Sequence, residues 1–167
     1  VLVMSIFLVK RVDQRRWQRC QIERDLFFRN HPYELNAEQD CIVQVSMTKY
    51  AQTKLINEMM LKSVGQPIIK KAMIQREYVD ENQPHKFMIK VMVKENMIGY
   101  LEKKYAESFC QNLKQTDFFI GRPIATLSEV TLYRNSAGES GCKVKLALPT
   151  EPLDIIDLIV EKQPEPA

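Results

Sequence analysis

Polar and apolar residues alternate with period two over "KFMIKVMV" (86–93), where Phe87, Ile89, Val91 and Val93 share one face and Lys90 the other. That pattern predicts a strand with one buried side. "GCKVKLALP" (141–149) repeats it, with Cys142, Val144, Leu146 and Leu148 against Lys143 and Lys145. "PIATLSEVTLYRN" (123–135) precedes it across the turn-rich "NSAGESG", so the two predict a hairpin. "PIIKKAMIQRE" (67–77) alternates over part of its length, and "CIVQVSM" (41–47) begins a further strand. Met97 to Leu101 is a short strand after a turn at Lys94-Glu95-Asn96, and its Gly99 suits a tight bend or a close backbone contact.

Helical spacing dominates elsewhere. From Glu102 onward Tyr105, Ala106, Phe109, Cys110 and Leu113 form a core-facing stripe, with Lys103, Lys104, Glu107 and Lys114 outside it. "YAQTKLINEMML" (50–61) suits a short helix with Ala51, Leu55 and Met59 on one side. Asp13 to Asn30 reads as a longer helix, capped by Asp13 and stopped at His31-Pro32. The uncharged opening "VLVMSIFLV" is too short to span a bilayer and precedes its basic residues, the wrong order for a signal peptide. It predicts a β-strand. "HPYELNAEQD" is a polar connector, and "TEPLDIIDLIVEKQPEPA" closes the chain with a short strand or helical turn and a proline-containing end.

These elements divide the chain into an N-terminal extension (1–40), a β-rich body (41–149) and an acidic tail (150–167). With 167 residues, 45% hydrophobic and 27% charged, one soluble α+β domain with extensions is the expectation. The net charge of +3 is unevenly placed. Residues 10–29 carry seven basic and three acidic groups, a net of +4, whereas 151–167 carry five acids and one lysine, a net of −4. Four scattered cysteines without a Cys-x-x-Cys, and only two histidines, make no zinc pattern; free thiols in a reducing cytoplasm are expected. No Gly-rich phosphate loop, His-Glu-x-x-His or Gly-x-Ser-x-Gly occurs, so a non-enzyme without cofactor is the expectation.

"VSMTKYAQTKL", "REYVDENQPHKFMIKVMV" and "MIGYLEKKYAESF", in that order, resemble the three motifs of the HIRAN domain. That module stands at the N-terminus of helicase-like transcription factors and occurs as small stand-alone bacterial proteins. The resemblance spans residues 41–149. It implies an OB-like, strongly bent antiparallel β-barrel with two helices, and in eukaryotic relatives a pocket for the 3′ end of single-stranded DNA. By position, Lys49 and Tyr50 stand where the family has Arg-Tyr, and Tyr100 where it has His or Tyr. Asn82 is kept, while Pro84 and His85 replace a Tyr-Asp pair and Phe87 an asparagine.

Two functions from different classes follow. The first is a nucleic-acid-binding module for single strands or DNA ends, using Lys49, Tyr50, Asn82, His85 and Tyr100, with Arg15, Arg16 and Arg19 along phosphates. The second is a protein-interaction or homodimerisation module in which Trp17, Phe27 and Phe28 make the contact and DNA binding has been lost. Neither involves a membrane.

Overall fold

The computed structural model describes residues 2–35, 40–80, 82, 86–113 and 121–160. The chain divides into two units, residues 1–32 and 33–167.

The first unit is a single helix, α1 (Leu2–Asn30). The opening apolar run is therefore the first part of this helix and not a strand. The run lacks alternation, and no glycine or proline separates Val9 from Asp13 to break a helix already under way. Asp13 accordingly lies inside the helix and caps nothing. The predicted stop stands: His31 donates its backbone N–H to the Phe27 carbonyl (2.9 Å), and its ring stacks on Phe27 at 4.3 Å between centroids.

The second unit is an α+β barrel. Its strands are β1 (Tyr33–Leu35), β2 (Val43–Ser46), β3 (Pro67–Tyr78), β4 (Phe87–Val93), β5 (Asn96–Leu101), β6 (Ile124–Arg134), β7 (Ser140–Leu146) and β8 (Ile159–Val160). The hydrogen-bonded order is β3-β4-β5-β2-β7-β6, and a long β3–β6 ladder from Pro67↔Thr131 to Ile74↔Ile124 closes the ring. All six junctions are antiparallel. The meander β3-β4-β5, a helix, then β6-β7 is an OB-like arrangement, with β2 inserted between β5 and β7.

Inside lie the residues that the alternation placed there: Ile89, Val91 and Val93 from β4, and Cys142, Val144 and Leu146 from β7, each almost fully buried. Each such aliphatic side chain contributes roughly 1.5–3 kcal/mol by leaving water. Helix α2 (Lys49–Met59) packs Leu55 into this core. Thr48 caps it by accepting from the Ala51 N–H (3.2 Å), and Met60 ends it in a left-handed conformation. Helix α3 (Lys103–Leu113) packs Ala106, Phe109 and Cys110 into the same core. Tyr105 donates to the Pro149 carbonyl at 2.8 Å.

The polar connector contains a strand. Tyr33–Leu35 pairs parallel to the start of β6, with Tyr33↔Ile124, and antiparallel to β8. Arg122 lies 3.7 Å over the Tyr33 ring, and the Tyr33 N–H donates to the Pro123 carbonyl at 2.9 Å. Three residues are too few to show a period, so alternation had nothing to read here. The tail forms a 3-10 turn (Pro152–Asp154), helix α4 (Ile155–Leu158) and β8, with Ile155 fully buried. The proline-containing end, 161–167, lies outside the described residues.

Candidate nucleic-acid interface

Tyr100 sits in the middle of a cross-strand row. On β2 its partner is Ser46, on β4 it is Lys90, and Lys90 in turn faces Gln75 on β3. Their chain neighbours Val45, Leu101, Val91 and Ile74 point into the core, so this row lies on the outer face of the barrel. Tyr100 is 36% exposed, and its hydroxyl lies 4.0 Å from Met97 Sδ. A parallel row beside it consists of Met73, Met92 and Met97, giving an apolar bed next to the polar one. The half-buried Lys90 ammonium is ion-paired with Glu77.

Lys49 and Tyr50 open α2, three and four residues beyond Ser46. Tyr50 is 79% exposed, an uncovered aromatic face. Lys49 donates to Glu139 Oε1 at 3.1 Å. Glu139 is fixed by the β6–β7 turn: its N–H donates to Asn135 Oδ1 (2.8 Å), and Asn135 Nδ2 donates to its Oε2 (3.1 Å). The bonds from Lys49 and Asn135 hold the Glu139 carboxyl below the usual carboxylate range.

Asn82 belongs to a different end of the sheet. Strand β4 runs from Phe87 toward Val93, so the β3–β4 connection carrying Asn82 leaves before Lys90, whereas β2 runs past Ser46 in the opposite sense to β5. Lys49 and Tyr50 thus depart from one end of the Tyr100 row and Asn82 from the other. The Asn82 N–H and Nδ2 both donate to Asp80 Oδ1, at 2.9 and 3.1 Å, which engages Asn82 in its own turn. His85, with Pro84, lies outside the described residues. Arg15, Arg16 and Arg19 stand exposed on α1, in the other unit, and make no ion pair with a described residue.

Two placements in the barrel, one on the outer face and one on the inner, are invisible in the sequence. Lys90 becomes Tyr100's neighbour only through register, which alternation does not specify between strands. Tyr78 and Phe87 pair across β3 and β4 with centroids 5.0 Å apart, and the Arg76 guanidinium lies 4.8 Å over Phe87. Burial holds Arg76 below the ordinary arginine value. An aromatic followed by alternating apolar residues at 87–93 was a signal for the strand, and Arg76 opens the second stretch that resembles the family, but nothing marked its seat over Phe87.

The outer row can offer stacking through Tyr100 and hydrogen bonds from Ser46 and Gln75, and Tyr50, at the start of α2, is a second exposed ring. Among the described residues no group of three or more His, Cys, Asp or Glu is placed to hold a metal ion. No helix among them is long and apolar enough to cross a membrane. No family model, curated protein or solved structure matches the chain.

Proposed function

We propose that the barrel is a non-catalytic nucleic-acid-binding module, HIRAN-like in kind, that takes single strands or strand ends on the outer face between Tyr100 and Tyr50. The observation that carries this reading is the Ser46–Tyr100–Lys90 row on an OB-like barrel, with the exposed Tyr50 ring a few residues away. Single-strand binders combine aromatic platforms with cations, each stacked base being worth about 1–3 kcal/mol. The scattered cysteines, with no Cys-x-x-Cys among them, fit a reducing compartment such as the cytoplasm. The test is a titration with single-stranded, blunt and 3′-overhang DNA at several salt concentrations. A flat response at low salt sinks the reading. If it holds, Tyr50→Ala should weaken binding by about 1–3 kcal/mol, and Lys104→Glu, on the solvated side of α3, far less.

A second reading has its own support. Lys49 and Lys90, the cations of the face, each already hold a carboxylate, Glu139 and Glu77. In a protein-interaction or homo-oligomerisation module that neutrality is no handicap, and Trp17 (64% exposed) and Phe27 (52%) offer contact area, whereas Phe28, the third aromatic expected there, is buried (6%) and offers none. Solution mass measured alongside the DNA titration separates the two readings.

A further inference from the structure

The charge on α1 is arranged along its axis. Residues 2–9, "LVMSIFLV", contain no charge and one polar residue, Ser5. Lys10, Arg11, Arg15, Arg16 and Arg19 follow within ten positions, opposed by Asp13 alone. In the remainder of the helix Glu23 and Asp25 balance Arg24 and Arg29, with Arg24 Nη2 and Asp25 Oδ1 3.3 Å apart. One unbroken helix thus joins an uncharged end to a strongly basic band. Where the two meet, the apolar side chains are in water: Val9 is 59% exposed, Val12 47% and Trp17 64%.

We infer that α1 docks this chain on an anionic lipid surface, its uncharged end at the headgroup–acyl boundary and its basic band against the headgroups. Three occupants compete for such a helix. A nucleic acid satisfies the arginines but offers a polyanionic surface to the uncharged run. A second copy of α1 satisfies the apolar residues but brings one +4 segment toward another. An anionic bilayer satisfies both at once, because its apolar interior and its charged headgroups are stacked in the same order as the two parts of the helix. Dimensions agree: eight helical residues span about 12 Å. Entering obliquely they reach the 5–10 Å or so of an interfacial helix. Trp17, two turns beyond Val9, is the residue type that anchors at the interface. Such a contact asks far less of the helix than crossing.

The chain has one tryptophan, so Trp17 is its own reporter. The full chain is mixed with vesicles of phosphatidylcholine containing about one-fifth phosphatidylserine, and with vesicles of phosphatidylcholine alone. The expected result is sedimentation with the anionic vesicles, a blue shift of Trp17 emission, and weakening by salt. Each basic residue removed should lower partitioning about fivefold, so R15E/R16E/R19E should lose at least about a hundredfold. V9D/V12D should also abolish partitioning while leaving oligonucleotide binding unchanged. All five positions are exposed, so the substitutions leave the fold intact. Three results overturn the inference: no partitioning into the anionic vesicles; partitioning that survives V9D/V12D and is fully displaced by an oligonucleotide; or a lipid-free dimer that already buries Trp17.

Discussion

A Cβ placed on Gly99 would overlap the carbonyl oxygen of Ser46 on the neighbouring strand. Gly99 faces Val91 on β4, and its neighbours Tyr100 and Leu101 pair with Ser46 and Val45 on β2, so the glycine is held between two strands with no room beside it. Its φ is not in the left-handed region; the requirement is closeness and not conformation.

Gly99→Ala should therefore force β2 away from β5 at the row that carries Tyr100. Overpacking against backbone of this kind costs on the order of 3 kcal/mol. Urea unfolding should show the midpoint falling sharply. A midpoint within error of the parent would mean that β2 yields freely, and the Tyr100 row with it.

The β4–β5 turn invites the opposite change. Lys94 (φ 49°) and Glu95 (φ 67°) are both left-handed, the conformation that a two-residue hairpin of this hand demands and that Asn-Gly adopts most easily. The double substitution Lys94→Asn/Glu95→Gly should stabilise the barrel by about 1 kcal/mol. Differential scanning calorimetry would show it as a rise of several degrees. A fall would mean that the exposed Lys94 and Glu95 side chains hold the turn by contacts that outweigh their backbone strain.

The barrel strands were legible because one wall of each is dry, as at Phe87–Val93 and Cys142–Leu146, and period two then follows from the pleat. Gly99 was legible as a close approach but not as an approach to Ser46, since pairing partners are set by register across long sequence separations. The same limit hid the closing β3–β6 ladder and the Lys90–Tyr100 contact. The opening "VLVMSIFLV" failed for another reason: a short apolar run without alternation fits strand or helix equally, and here the helix beginning at Leu2 simply continues. Of the candidate site, the resemblance singled out Tyr50 and Tyr100 by position, but the exposure of the one and the outer placement of the other come from the fold. That Asn82 leaves the sheet at the opposite end from Lys49 did not, because strand direction in a closed barrel is a tertiary property.

Burial in the barrel pushes the Cys142 thiol up to about 11 from its ordinary 9.0. Its Sγ lies 3.6 Å from the Gln52 carbonyl, a partner for a thiol and a repulsive neighbour for a thiolate. A pKa raised in the folded state means that the unfolded chain loses its proton first as pH rises. The stabilisation is thus complete below 9.0 and is lost as pH climbs through about 11. Tyr105, also raised by burial, adds a loss of the same sign above its ordinary 10.0. Urea midpoints across this range should fall for the parent, and Cys142→Ala should lessen the fall between 9.0 and 10.0, what remains there coming from Cys41, whose thiol burial also raises. Thiol modification of the native protein should run in the same sense, the exposed Cys20 reacting long before Cys142. A pH-independent midpoint would show that water reaches the thiol.

Lys49 is the cation that the resemblance assigns to phosphate, yet its ammonium is held by Glu139. Glu139→Gln keeps a hydrogen-bonding amide in the β6–β7 turn and removes only the charge, so Lys49 becomes available to a ligand. Because the pair is solvent-exposed, with side chains 78% and 57% accessible, folding stability should barely change. Nucleic-acid binding should change measurably: one further phosphate neutralised steepens the slope of log affinity against log salt by about 0.7 for a single strand. Lowering the pH well below 4.5 should move the parent in the same direction, since protonating Glu139, whose carboxyl is held below that value, releases Lys49 just as the substitution does. Lys49→Gln in the Glu139→Gln background should return the slope to the parent value. If the slope is unmoved by both changes, Lys49 lies off the path of the strand, and its pairing with Glu139 belongs to a surface built for another protein.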